Sequence, residues 1–143
     1  MLKTIAISNE KGGVAKTTTT LSLGAALVEL GNRVLLIDLD AQANLTLALG
    51  FEPGENENTS SNVMLDNIPL LDVCKKTDVE KLDLIPSSSR IEISEQFLPV
   101  RTSYTTILQK AIHNTNLPYD YIILDCPPAL GAITKNALAA SDL

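Results

Sequence analysis

Four short stretches of the chain are apolar almost without interruption, and each closes on a polar or turn-forming residue. Residues 3–8 contain Thr4-Ile5-Ala6-Ile7, and Arg33–Asp38 contain Val34-Leu35-Leu36-Ile37. Leu82–Pro86 ends Leu84-Ile85 at a proline, and Tyr119–Asp125 carries Ile122-Ile123-Leu124 up to an aspartate. Aliphatic, β-branched runs of this kind predict buried parallel strands. Between them the period changes. In residues 17–30, Leu21, Ala25 and Val28 share one helical face, Leu23, Leu27 and Leu30 widen it, and Gly31-Asn32 is a stop signal. Further helices are expected over 61–76, broken at Pro69, over 91–114, interrupted near Pro99, and over 132–140. Lys75-Lys76 suits the C-terminal end of the first of these. Phe51–Asn62 is rich in Glu, Asn, Gly, Pro and Ser and predicts an exposed, variable loop. The alternation predicts an α/β fold, a mostly parallel sheet flanked by helices.

Length and composition narrow this further. The 143 residues suit a single domain, 1–143. Apolar residues make up 45% and aromatics only 3%, so the core is aliphatic. A net charge of −6 makes a poor sequence-independent binder of nucleic acid, whose affinity rests on Lys and Arg neutralising phosphates. Cys74 and Cys126 lie far apart with no metal spacing, which points to a reduced, cytoplasmic compartment. The N-terminal apolar run is too short for a signal peptide, and no stretch approaches the ~20 apolar residues of a membrane span. His113, the single histidine, has no partner at ligand spacing and reads as a helix-end residue.

The candidate chemistry sits where strands end. After Ile7 comes Asn9-Glu10-Lys11-Gly12-Gly13-Val14-Ala15-Lys16-Thr17-Thr18. Strand, glycine turn, lysine, hydroxyl and helix, in that order, build a phosphate cradle. Backbone N–H groups of the turn and helix N-terminus point inward, Lys16 adds charge for the β/γ-phosphates, and the Thr17 hydroxyl can ligate Mg²⁺. The second strand ends in Asp38, followed by Leu39-Asp40-Ala41-Gln42-Ala43-Asn44. Two carboxylates two residues apart lie at the sheet edge where α/β proteins bind ligands. For Asp38, structural and functional readings both stand. A third carboxylate, Asp125, reaches the same edge before Cys126-Pro127-Pro128 and can hold Mg²⁺ through water.

The phosphate loop departs from the general P-loop pattern, which needs glycine at 10 and 15, where this chain has Glu10 and Ala15. What remains, K-G-G-x-x-K-T with Lys11 opening the loop, resembles the deviant Walker A motif of the ParA/MinD-type ATPases. The run Asp38–Asn44 resembles the family's switch I, with Ala41 where proline is usual. Residues 121–131 resemble its Walker B and switch II, whose common form is also D-C-P-P followed by a small-residue turn. The resemblance implies a P-loop NTPase of the deviant Walker A type, apparently truncated to the N-terminal half of a family member. It implies ATP and Mg²⁺ as cofactors. Gly12, Gly13, Val14, Ala15, Lys16, Thr17 and Thr18 would cradle the phosphates. Thr17 would ligate the metal, with Asp40 and Asp125 in its water shell. Asp40 would also position the attacking water, and Lys11 would complete the site across a nucleotide-sandwich dimer. Ala15, where the family most often has glycine, would crowd the phosphate, and any positive φ there would cost roughly 1–2 kcal/mol.

The function so implied is an ATP-dependent dimerisation switch in plasmid or chromosome partition or cargo positioning. Its partner would be ParB-like, and non-specific DNA would bind through the missing C-terminal half. The alternatives are a MinD-type membrane-associated ATPase, a biosynthetic P-loop enzyme, and a nucleotide-binding fragment that does not hydrolyse. Arg90 and Arg101 suit either a partner or solvent. An unfinished parallel sheet would expose an apolar strand edge. Marginal solubility, self-association or disorder in parts of 51–62 and 126–143 is therefore expected.

Overall fold

The last strand along the chain lies between the first two. The computed structural model describes residues 1–8 and 14–143, the side chain of Val14 apart. Its strands are β1 (Lys3–Ile7), β2 (Val34–Asp38), β3 (Lys75–Lys76), β4 (Leu82–Ile85) and β5 (Tyr121–Asp125). The helices are α1 (Val14–Glu29), α2 (Asn44–Ala48), α3 (Ser60–Asp66), α4 (Leu70–Val73), α5 (Ile91–Phe97), α6 (Ile107–His113) and α7 (Ala132–Ala140). Short 3-10 turns at Leu98–Val100 and Tyr104–Thr106 join α5 to α6, with Pro99 in the first of them. The sheet order is β1-β5-β2-β4-β3, parallel except for β3. Asp125 is in register with both Ile7 and Asp38, so the carboxyl ends of β1, β2 and β5 finish at one level.

Alternation along the strands divides the core in two. Val34, Leu36, Leu82, Leu84 and Ile123 pack under α1 with Leu21, Leu27 and Val28. Leu35, Ile37, Ile85, Ile122 and Leu124 face the opposite way, against Met64, Leu70, Ile91, Leu108 and Ile133 of the other helices. The predicted α/β architecture is therefore the observed one.

Several details differ from expectation. α1 starts at Val14 rather than Thr17, and its buried face turns on Gly24, while Ala25 is exposed and Leu30 is 78% exposed. A Cβ at Gly24 would stand 3.2 Å from Leu36 Cδ2, so glycine lets the helix approach the sheet there. The exposed loop is shorter than Phe51–Asn62. Thr59, Ser60 and Ser61 are buried at the start of α3, where Asn62 Oδ1 accepts from Thr59 N at 2.8 Å and Pro86 O accepts from Ser60 N at 2.8 Å. Lys75 and Lys76 do not end a helix. Cys74 leaves α4 with ψ 138°, and the two lysines form the antiparallel edge strand beside β4. Lysines on a short edge strand discourage further pairing.

β1 is a half-buried edge strand, not a fully buried one, and only Thr4 is enclosed. Its outward groups are met by Asp142 and Leu143. Thr4 O accepts from Asp142 N at 2.7 Å, Leu143 O from Ala6 N at 3.2 Å, and Asp142 Oδ2 from Thr4 N at 2.9 Å. The edge expected to be open is thus closed over Thr4 and Ala6.

Candidate functional site

α1 delivers Lys16 in its first turn, and the side chain runs inward to the carboxyl edge of the sheet. Lys16 is 3% exposed, Asp40 6% and Asp125 not at all. The Lys16 ammonium is in direct contact with Asp125 Oδ1 and lies 3.4 Å from Asp40 Oδ2. Thr17 Oγ1 is 3.5 Å from the other Asp125 oxygen, at the long limit for a hydrogen bond. Three charges withdrawn from water cost several kcal/mol per ion before their attraction is counted. Burial pushes the Asp125 carboxyl upward, against the pull of Lys16 and with the repulsion of Asp40. A chain seldom keeps such a cluster unless its groups have work to do.

The two aspartates beyond β2 separate into different roles. Asp38 is fully buried and saturated: its carboxylate accepts from Asp40 N at 3.1 Å, Thr46 N at 3.0 Å and Thr46 Oγ1 at 2.7 Å. The Thr46 hydroxyl in turn accepts from Ser87 N at 2.9 Å, so Asp38 joins the ends of β2 and β4 to α2. Burial raises its pKa to about 6 in spite of those donors. Its position is structural. Asp40 divides its oxygens. Oδ1 accepts from Gln42 N at 3.0 Å and closes a turn that runs through Ala43 at φ 54°, while Oδ2 faces Lys16.

Of the sequence-expected residues, Lys16, Thr17, Asp40 and Asp125 come together. Lys11, Gly12 and Gly13 lie outside the described residues, as does the Val14 side chain. Ala15 is exposed and helical, and it is absent from the non-glycine residues with positive φ among those described, so the feared backbone cost does not arise there. Of the four-threonine run, Thr17 is the one whose hydroxyl meets Asp125. Thr19 and Thr20 donate to the carbonyls of Ala15 and Lys16, at 2.9 and 3.0 Å, and Thr18 is exposed. Cys126 is a small buried residue whose thiol burial pushes up to about 12. His113 closes α6. Arg90 donates to Glu57 O and Arg101 to Met64 O, so both guanidiniums brace the chain itself. Among the described residues, no group of three or more His, Cys, Asp or Glu is arranged to hold a metal ion alone, and no helix is long and apolar enough to cross a membrane.

Sequence reasoning missed Glu95. From α5 its carboxylate reaches the first turn of α7, 3.3–3.4 Å from Ile133 N. It also lines a groove of about 380 Å³ with Asp40, Gln42, Glu92 and Leu130. One signal was available: α7 opens at Gly131 with no capping side chain of its own.

The AAA domain family model (AAA_31) matches residues 2–143. The chain is 46% identical over 142 residues to the sporulation initiation inhibitor protein Soj of Bacillus subtilis, covering 99% of this chain and 56% of Soj. It is 42% identical over 146 residues to the chromosome partitioning protein ParA of Caulobacter vibrioides, covering 99% of this chain and 54% of that protein. Among solved structures it resembles a Mycobacterium smegmatis protein described as cobyrinic acid a,c-diamide synthase with bound ATP analogue and magnesium. The TM-score there is 0.92 with 39% identity, over 99% of this chain and 57% of the other. The chain spans about half the length of the relatives it matches.

Proposed function

The chain belongs to the AAA domain family, in its ParA/MinD-type branch, and from that premise we propose that it is the phosphate-binding half of a ParA-like ATPase. The observation that carries the reading is the Lys16 ammonium, buried in the first turn of α1 between Asp125 and Asp40. The donor set fits a magnesium-bound triphosphate: one ammonium for phosphate oxygens, one hydroxyl and two carboxylates for the metal and its waters. The metal would supply charge neutralisation along the phosphates.

This chain's own residues would do the following. Lys16 exchanges carboxylate oxygens for phosphate oxygens, which leaves Asp40 and Asp125 buried without a counter-charge unless they gain a cation of their own. Thr17 turns its hydroxyl to the metal. Asp40, already fixed through Oδ1 by the Gln42 amide, uses Oδ2 to orient the attacking water. Lys11 completes the site from a second subunit, and nucleotide state switches that dimer. The likeness to ParA supports a role in partition with a ParB-like partner and with DNA bound by residues beyond this half. Likeness to the M. smegmatis structure supports a second reading, an ATP-dependent synthase domain. A synthase turns over ATP in step with an acceptor substrate; a partition switch answers to a protein partner and DNA.

The test is Mg-ATP binding and turnover by the 143-residue chain. Lys16→Ala should weaken binding about 100-fold, the loss of a charge-assisted contact. Asp40→Ala should keep affinity within about threefold while turnover falls at least about tenfold. Undiminished affinity in the lysine variant refutes the phosphate-site assignment.

A further inference from the structure

The loop that follows Asp125 is held at three points. Cys126 N donates to Ile7 O at 3.0 Å, which anchors the start of the loop to the end of β1. Thr134 Oγ1 donates to Ala129 O at 2.7 Å, which folds the loop onto α7. The third hold comes from another part of the chain. Glu95 of α5 sets both carboxylate oxygens within 3.4 Å of Ile133 N, in the first turn of α7. There it faces orphan amides at the positive end of the helix. The approach is so close that a Cβ on Gly131 would fall 2.0 Å from Glu95 Oε1. Gly131 has φ −104°, a conformation any residue adopts, so a side chain there would displace the carboxylate without straining the backbone.

We propose that Glu95 is a positioning residue of the phosphate site: its carboxylate caps α7 and thereby holds loop 126–131, and with it the carboxyl end of β5 that presents Asp125 to Lys16. α5, this loop and the Asp40 turn also line one groove, to which Glu92, Glu95, Leu130, Asp40 and Gln42 contribute. The Glu95–Ile133 contact thus ties α5 to the start of α7 and, through it, to the loop. The effect on turnover rests on the phosphate-site reading above; the hold on the loop does not.

Gly131 offers a clean way to evict the carboxylate. Alanine suits the backbone, and the clashing atom is the free end of a flexible side chain. The experiment follows amide hydrogen exchange over residues 127–134, Mg-ATP affinity and turnover in the 143-residue chain. Glu95→Ala should speed exchange about tenfold, and Gly131→Ala should match it, as expected for the loss of one charge-assisted hydrogen bond. Glu95→Gln, which keeps a neutral acceptor, should lose about threefold. The Glu95→Ala/Gly131→Ala double variant should be no faster than either single, because both changes break the same contact. Turnover should fall about tenfold in Glu95→Ala with Mg-ATP affinity within about twofold, and Glu95→Gln should recover most of it.

Unchanged exchange in Glu95→Ala, or additive effects in the double variant, overturns the proposal. So does a loosened loop with full turnover. If the unsubstituted chain binds no Mg-ATP, the phosphate-site reading fails and takes the turnover effect with it, while the exchange comparison still decides whether Glu95 holds the loop.

Discussion

The two ends of the sheet carry the same kinds of groups in opposite settings. At the amino end, Asp120 Oδ2 accepts from Arg33 N at 2.9 Å, the Arg33 guanidinium lies 5.9 Å from the centre of the Tyr119 ring, and Tyr119 donates to Asp83 Oδ2 at 2.7 Å. Arg33 and Asp120 are exposed and Asp83 is half-buried, so these charges remain partly hydrated. At the carboxyl end, Lys16 and its two carboxylates are shut away from water. An exposed cation loses little hydration and contributes little; a buried cluster is held at a cost and collapses if one member is removed. The charges at the amino end each contribute little, while those at the carboxyl end depend on one another for their neutralisation.

Deleting the cation at each end is the sharpest way to break this contrast. Lys16→Met strands two buried carboxylates, and urea denaturation at pH 7 should show a loss of about 3–5 kcal/mol. A neutral result would mean that the carboxyl end is not a cluster of interdependent charges.

The next effect is one of pH and belongs to Asp38. Its folded-state pKa lies at about 6, above the ordinary aspartate value of 3.8, so between those values the folded protein holds the proton more tightly than the unfolded chain. This group's contribution is therefore fully favourable below about pH 4 and is lost as pH rises through about 6. The difference is on the order of 3 kcal/mol by pH 7, since one pKa unit is 1.36 kcal/mol. Stability of the parent measured against Asp38→Asn should fall across that window; a flat difference would place the carboxylate in a more hydrated setting.

The smallest effect should come from Arg33→Ala, about 0.5–1 kcal/mol for a partly hydrated cation–π contact, read from the same denaturation midpoint. A loss as large as that of Lys16→Met would erase the distinction between the ends.

Much of the fold was legible because buried parallel strands announce themselves as unbroken aliphatic runs. β2 and β5 lie close to their expected places, and each delivers an aspartate to the carboxyl edge. Lys16, Thr17, Asp40 and Asp125 were legible for the same reason: strand ends and helix starts are positions that a linear pattern can mark. The lysine pair 75–76 was not, since a two-residue edge strand has no periodicity and exists only because β4 offers it partners. The face of α1 differs from the expected one at Ala25 and Leu30: glycine carries no hydrophobic signal, yet Gly24 is the buried position, where a Cβ would stand 3.2 Å from Leu36 Cδ2. The ambiguity between Asp38 and Asp40 could be resolved only by Thr46, eight residues beyond Asp38, and through it by Ser87.

The linear order of residues by itself determined the alternation of strand and helix, the aliphatic core and the identity of the charged groups at the sheet edge, because each follows from local period and from which atoms a side chain carries. Tertiary structure decided the rest: that β5 inserts between β1 and β2, that Asp38 is spent on Thr46 while Asp40 keeps an oxygen for Lys16, and that Glu95 closes over Gly131. These depend on distances between residues remote along the chain, and no local pattern encodes which of several buried acceptors will meet a given donor.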